Sequence, residues 1–271
     1  MTISKKKTVR DVMSTELITI DREAKATEAI ECLKQNGIGA LPVTKLEGEI
    51  IGIVSETDIV RKIVAEGLDP DQITIDGIMN CALVTIWAEA SIEEAYYAMA
   101  CYRVRHLVVT DDGIKVGFLS VRDILLSQKG SGSTSRKLLS EEPVTTIMSK
   151  HLWIVPEKTS IFEAAKIMKA QKISCLLIGS KENIDGILAE RDIISKVLAN
   201  KVDIKEAQIG DIMNRPVKTV DSRTPIHKLY RQMSEDKIRH LVVVEAGKPA
   251  GIVSAKDLIY LTAEEAEAWW R

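Results

Sequence analysis

Apolar residues along this chain switch between two periods, and the switch recurs four times. Short β-branched runs come first: Ile18-Thr19-Ile20, Val84-Thr85-Ile86, Ile154-Val155 and Thr219-Val220. Runs of this kind predict short strands. A helical period follows. Ala26, Ala29, Ile30 and Leu33 fall at i, i+3, i+4 and i+7, as do Ile92, Ala95, Tyr96 and Met99, and again Ile161, Ala164, Ala165 and Met168. That spacing lines one face of a helix. Ser91, Ser160 and Thr224 stand where N-caps would. Two further strands are expected next, Leu41-Pro42-Val43 and Ile50–Val54 in the first copy, Leu107–Val109 and Val116–Leu119 in the second. A closing helix is expected to start at Asp58 and its counterparts. The unit reads β-α-β-β-α, an α+β repeat. At about 55 residues it is small for an independent core and should need a partner repeat.

Two markers keep step with the pattern. The phrase Gly52-Ile-Val-Ser55-Glu-Thr-Asp58 returns as Gly117-Phe-Leu-Ser120-Val-Arg-Asp123, Gly186-Ile-Leu-Ala189-Glu-Arg-Asp192 and Gly251-Ile-Val-Ser254-Ala-Lys-Asp257, with glycines 65, 69 and 65 residues apart. Met13, Met79, Met148 and Met213 each precede their glycine by 38 or 39 residues. A period so regular means one small unit repeated. The copies then sort into twos. Arg105-His106 and Arg239-His240 stand before the middle strand of copies two and four, where copies one and three have Gly39-Ala40 and Ser174-Cys175. A double repeat offset by 134 or 135 residues follows, with copies one and two as one module and three and four as the other. The expected boundaries are 8–65, 73–128, 143–199 and 207–262, with a Gly/Ser-rich linker at 129–142 and a tail at 263–271.

Composition narrows the field. Apolar residues make up 45% and charged residues 28%, and the net charge is −2, so no global pull toward nucleic acid or anionic membrane exists. No apolar run approaches the ~20 residues that span a bilayer. Met1-Thr-Ile-Ser-Lys-Lys-Lys7 has no apolar segment behind it and is not read as a signal peptide. Cys32, Cys81, Cys101 and Cys175 show no metal-like spacing and read as buried free thiols of a reducing cytoplasm. No nucleophile elbow, P-loop, zincin or dinucleotide fingerprint is present, so no enzyme is expected and no metal.

Four Gly-h-h-Ser-x-x-Asp phrases in register, each with its upstream Met and its β-α-β-β-α pattern, resemble the cystathionine-β-synthase (CBS) domain, paired into two pseudo-two-fold Bateman modules. The resemblance covers about residues 8–128 and 143–262. The arrangement is similar to that of the four-repeat gamma subunits of AMP-activated protein kinases. It implies a regulatory protein that binds an adenosine-containing ligand (AMP, ADP or ATP, with S-adenosylmethionine as an alternative) between paired repeats and signals to a regulated partner. It also allows a homodimer of stacked modules, or a scaffold that needs no ligand. Carried over residue by residue, the ribose contacts are Asp58, Asp123, Asp192 and Asp257, and the hydroxyl contacts are Ser55, Ser120 and Ser254. Adenine is expected against Thr19-Ile20, Thr85-Ile86 and Thr219-Val220 and against the strand holding Pro42.

The residues themselves support two readings of the phrase. A carboxylate can accept hydrogen bonds from two vicinal hydroxyls, and a helix start presents unpaired N–H groups to a phosphate. Yet Ser-x-x-Asp is also nearly a capping box, which satisfies the same N–H groups without a ligand. Ala189 cannot cap, though Asp192 remains. Arg105 and His106 are adjacent on a strand and so face opposite sides. One of each pair, Arg105-His106 and Arg239-His240, is expected to face a phosphate. The order in the kinase subunit is His-Arg, so which residue reaches the ligand stays open. Arg122, Arg191 and Lys256 directly precede their Asp and are either charge-assisted phosphate contacts or exposed first-turn residues. Binding of nucleic acid through Arg103, Arg105, Arg122 and Lys256 is a weaker alternative. His151 and His227 read as surface residues. Trp269-Trp270 in the tail is read as a docking anchor or as packing on the last repeat.

Overall fold

The computed structural model describes residues 7–45, 48–127 and 141–258. The linker around 129–140 and the tryptophan tail lie outside the described residues. Repeat one contains β1 (Ile20–Asp21), α1 (Ala26–Asn36), β2 (Ala40–Thr44), β3 (Ile50–Ser55) and α2 (Glu56–Lys62). Repeat two contains β4 (Thr85–Trp87), α3 (Ile92–Cys101), β5 (His106–Asp111), β6 (Ile114–Ser120) and α4 (Val121–Ser127). Repeat three contains β7 (Ile154–Val155), α5 (Ile161–Gln171), β8 (Cys175–Gly179), β9 (Ile184–Ala189) and α6 (Glu190–Asp192), which continues as a π-helical stretch over Ile193–Val197. After a short helix α7 (Ile209–Ile212), repeat four contains β10 (Thr219–Asp221), α8 (Ile226–Glu235), β11 (His240–Glu245) and β12 (Lys248–Ser254), with a final helical turn beginning at 255.

Each repeat builds its own three-stranded sheet. Its first strand runs parallel to the second, across the intervening helix, and the second and third form an antiparallel hairpin. All four hairpins shift register at the same place, between Val43 and Thr44, Val109 and Thr110, Ile178 and Gly179, and Val243 and Val244. The bulge is therefore a feature of the repeat and not an accident of one copy.

The caps differ slightly from expectation. Ser91 and Ser160 do cap, with Oγ accepting from Glu94 and Glu163 N–H at 3.1 and 3.2 Å. The N-cap of α8 is Pro225, one residue beyond Thr224, because Pro225 pairs with Pro143 in an isolated bridge that sets where the helix turns in. The closing helix starts two residues earlier than expected. Ser55 is the N-cap of α2, which places Asp58 at its third position.

The chain folds into two compact units. Unit 1 gathers Met1–Leu17, Val84–His151 and Lys218–Arg271; unit 2 gathers Ile18–Leu83 and Leu152–Val217. Each repeat shares its core with a partner, and that partner is the copy made equivalent by the double period, not the neighbour in the chain that was expected. In unit 2 the apolar face of α1 (Ala26, Ala29, Ile30, Leu33) and that of α5 (Ile161, Ala164, Ala165, Met168) belong to one buried cluster. In unit 1 Ala95, Tyr96 and Met99 of α3 share a cluster with Ile226, Leu229 and Met233 of α8.

Chain-adjacent repeats are joined differently, by exchanging their leading segments. Residues 8–14 precede repeat one in the chain but bridge to repeat two, at Thr8–Ser91 and Ser14–Phe118. Residues 74–80 precede repeat two but bridge to repeat one, at Lys25–Thr74 and Ile53–Asn80. The second half repeats the exchange, at Pro143–Pro225, Ser149–Ile252, Ser160–Gln208 and Ile187–Asn214. This explains why Met and Gly recur together. The motif glycine of each repeat seats the methionine that leads its neighbour: Gly52 holds Met79, Gly117 holds Met13, Gly186 holds Met213 and Gly251 holds Met148. A side chain at any of these glycines would collide with the methionine sulfur.

Candidate functional site

In two repeats the Ser-x-x-Asp turn is a reciprocal capping box, and in a third the serine donates to its aspartate. Ser55 N–H and Oγ–H donate to Asp58 Oδ2 at 3.0 and 2.5 Å, and Asp58 N–H donates back to Ser55 Oγ at 3.3 Å. Ser120 and Asp123 repeat this at 2.8, 2.6 and 3.3 Å. Ser254 N–H and Oγ–H reach Asp257 Oδ2 at 2.6 and 2.7 Å. Repeat three keeps half the box, with Ala189 N–H donating to Asp192 Oδ2 at 2.8 Å. This is why the carboxylate survives there without its serine. The cap consumes one carboxylate oxygen in every copy and leaves the other to the surroundings.

Those surroundings separate the two units. In unit 2, Lys62 reaches Asp58 Oδ1 at 3.1 Å and Lys196 reaches Asp192 Oδ1 at 3.2 Å. Asn214 adds a hydrogen bond to Asp192 Oδ1 at 2.9 Å. Both lysines also donate to a carbonyl of the docked leading segment, Lys62 to Ile78 at 2.5 Å and Lys196 to Ile212 at 2.7 Å. Two glutamates from the same motifs, Glu56 and Glu190, are each only 2% exposed. They are answered across the two repeats. Arg191 donates to Glu56 at 2.7 Å, Thr57 donates to Glu190 at 2.6 Å, and Arg61 lies 3.6 Å from Glu190. Arg191, read from its place in the motif as either a phosphate contact or an exposed first-turn residue, is paired instead with a buried carboxylate.

Unit 1 carries different residues at the same places. Val121 and Ala255 stand where unit 2 has Glu56 and Glu190, and Arg122 and Lys256 stand beside them. In the sequence, Ser127 and Leu261 follow Asp123 and Asp257 at the four-residue spacing at which Lys62 and Lys196 follow Asp58 and Asp192. Among the described residues, no lysine or amide reaches the second oxygen of Asp123 or Asp257. The two basic pairs, 134 residues apart in the chain, come within electrostatic range. His240 is pushed down to about 3, chiefly by burial and then by the charges of Arg239 and of Arg105 from the other repeat. His240 and Asp257 are half-buried, and burial is the largest influence on both. Burial raises the Asp257 carboxyl, against the pull of its Ser254 hydrogen bonds and the Lys256 charge.

The strand register places the motif around these groups. His106 faces Ser120 and His240 faces Ser254 across their hairpins. His106 stacks on Phe118 with centroids 5.4 Å apart and planes 12° from parallel, so it is a packed histidine. Thr85 and Thr219 lie in β4 and β10, paired with Val108 and Val242. In repeat one, Ile20 pairs with Val43 beside Pro42, and Thr19 immediately precedes β1. Lys62 and Lys196 were not singled out from the sequence, though their i+4 spacing from the aspartates is a signal for such pairs. The cysteines are all free but none is buried as expected: Cys32 and Cys175 are half-buried, and Cys81 and Cys101 are exposed. His151 is exposed, and His227 is half-buried 3.6 Å from Glu141. Among the described residues no His/Cys/Asp/Glu cluster could hold a metal, and no helix is long and apolar enough to cross a membrane.

Four sheet-and-helix repeats with Ser-x-x-Asp turns and exchanged leading segments define a tandem-repeat α+β protein. The chain belongs to the CBS-domain family, whose model matches residues 9–65, 75–130, 144–199 and 209–264. A solved structure from Methanocaldococcus jannaschii, proposed as an archaeal homolog of g-AMPK, is similar in fold with a TM-score of 0.78 and 17% identity, covering 94% of this chain and 99% of that one. An uncharacterized conserved protein from Pyrococcus horikoshii is similar at a TM-score of 0.64 and 20% identity, covering 94% and 100%. Among curated proteins, the CBS domain-containing protein CBSCBSPB3 of Arabidopsis thaliana is 21% identical over 94% of this chain and 52% of its own length. The chain spans about half the length of such relatives. The CBS domain-containing protein YhcV of Bacillus subtilis is 29% identical over 48% of this chain and 91% of its own.

Proposed function

We propose that the chain is a cytoplasmic, non-catalytic regulator that takes an adenine nucleotide (AMP, ADP or ATP) at the Asp123 and Asp257 turns of unit 1 and passes occupancy to a partner protein. The observation that carries the reading is the second oxygen of Asp123 and Asp257, which no lysine or amide among the described residues reaches, in a unit rich in basic residues near the motif. Arg105 and Arg239 both act on His240, with Arg122 and Lys256 one residue before the two aspartates. A polyanion such as a nucleotide phosphate is the complement of those basic residues. The carboxylate oxygens not used by the caps can accept the vicinal hydroxyls of a ribose. Adenine would lie against Thr85-Ile86 and Thr219-Val220. A ligand that binds only the folded unit stabilises it by about 2.7 kcal/mol at a hundredfold excess over Kd, which shifts whatever equilibrium the partner senses.

Isothermal titration of the full chain with AMP, ADP, ATP and S-adenosylmethionine tests this. Heat and a thermal shift with at least one of them are expected, and a flat response to all four rejects the reading. A ligand-independent, structural role is favoured for unit 2 alone, because its central charges are already answered by protein groups.

A further inference from the structure

We infer that Lys62 and Lys196 decide which repeats take ligand: they occupy the motif aspartates of unit 2 and confine nucleotide binding to unit 1. The inference rests on the nucleotide reading above. Its basis is the state of both oxygens of each carboxylate. Oδ2 of Asp58 and of Asp192 is held by the backbone N–H of the residue that begins the turn, at 3.0 and 2.8 Å. Oδ1 is held by the lysine one helical turn on, at 3.1 and 3.2 Å. A ribose diol arriving at either turn would have to displace an ammonium that is itself anchored to Ile78 O or Ile212 O. A carboxylate–ammonium pair with a second anchor is harder to displace than a solvated carboxylate.

The centre of unit 2 also turns phosphate away. Glu56 and Glu190 are buried there, and the nearby Arg61 and Arg191 are already paired with them. In unit 1 the sequence has other residues at these places: Ser127 and Leu261 for the lysines, Val121 and Ala255 for the glutamates. The same fold is thus run in two ways, with an internal cation filling the ribose position in one unit and that position left to a ligand in the other.

Stoichiometry tests the assignment, read by isothermal titration and native mass spectrometry of the full chain with ATP and with AMP as probes. The variants are Lys62→Met with Lys196→Met, which keep the apolar stems, and Ser127→Lys, which places an ammonium at i+4 from Asp123. Wild type should take no more than two nucleotides per chain. The double lysine variant should gain one or two, and Ser127→Lys should lose one. Three or four nucleotides on wild type overturn the inference. So does a folded double variant with no gain. If the double variant does not fold, the two single variants and Ser127→Lys decide, and unchanged stoichiometry in all of them overturns it. If wild type binds neither probe, the nucleotide reading of unit 1 fails on its own. The lysine assignment then stands only if the double variant acquires binding, and falls if it does not.

Discussion

Replacing Gly251 with Ala probes the link between the repeated phrase and the exchanged segments. An added Cβ would stand 2.6 Å from Met148 Sδ, 3.0 Å from its Cγ and 2.8 Å from Ser149 O. Favourable contacts lie near 3.5–4.0 Å, so all three are far up the repulsive wall. The methionine can swing aside. The carbonyl cannot, because Ser149 and Ile252 exchange two backbone hydrogen bonds of 2.9 Å that dock the segment on β12. Overpacking of this kind costs about 1–3 kcal/mol, and weakening the bridge adds about 1 kcal/mol. A total of about 2–4 kcal/mol corresponds to a Tm lower by roughly 5–15 °C in a protein of this size. Differential scanning calorimetry reads it directly. Gly77→Ala is the control, since its Cβ would meet nothing within 4 Å. If Gly251→Ala melts within about 1 °C of wild type, on the same scale, the account of the Met–Gly pairing is wrong.

Arg191→Met should destabilise the protein by about 1–3 kcal/mol in urea unfolding, because it removes the charge-assisted bond to the buried Glu56 carboxylate. Adding Glu56→Gln should recover much of that loss, and equal stability of the single and double variants would refute the pairing. Acid should weaken the fold through His240. Its pKa is lowered from 6.5 to about 3 on folding. As pH falls below 6.5 the unfolded chain takes up a proton that the folded chain refuses until about pH 3. Stability is thereby lost at up to about 1.4 kcal/mol per pH unit within that window. Asp257, raised in the folded state, has the opposite sign and offsets part of the loss. His240→Gln should therefore show a shallower decline than wild type in unfolding measured at pH 7, 6 and 5, and parallel curves would rule out the buried imidazole as the cause.

Much of this architecture was legible because it repeats. Strand runs, helix faces and the Ser-x-x-Asp turn each appear four times, so local chance was averaged out, and Ala26, Ala29, Ile30 and Leu33 all proved buried in α1. What a period does not reveal is which copy touches which. Met79 keeps a fixed distance from Gly117 in the sequence but rests on Gly52 in space. An exchanged segment has the same periodicity as one that stays at home. The shared core poses the same problem, since the face of α1 would suit any of the other repeats. The difference between the units lay in charges within one or two turns of the motif. Arg191 reads as a phosphate contact or an exposed first-turn residue until Glu56, 135 residues away, is seen to face it. Lys62 and Lys196 were visible at helical spacing, but only the geometry showed their ammonium groups joining an aspartate to a carbonyl of the leading segment.

The account stands or falls on whether unit 1 is a nucleotide site. The most direct measurement is isothermal titration of the full chain with AMP, ADP, ATP and S-adenosylmethionine, repeated on Asp123→Ala with Asp257→Ala. The account predicts binding of at least one adenine nucleotide to wild type and its loss, by tenfold or more in affinity for a contact of about 1.4 kcal/mol or above, in the double variant. Binding that survives in the double variant, or no heat from any ligand with wild type, contradicts it.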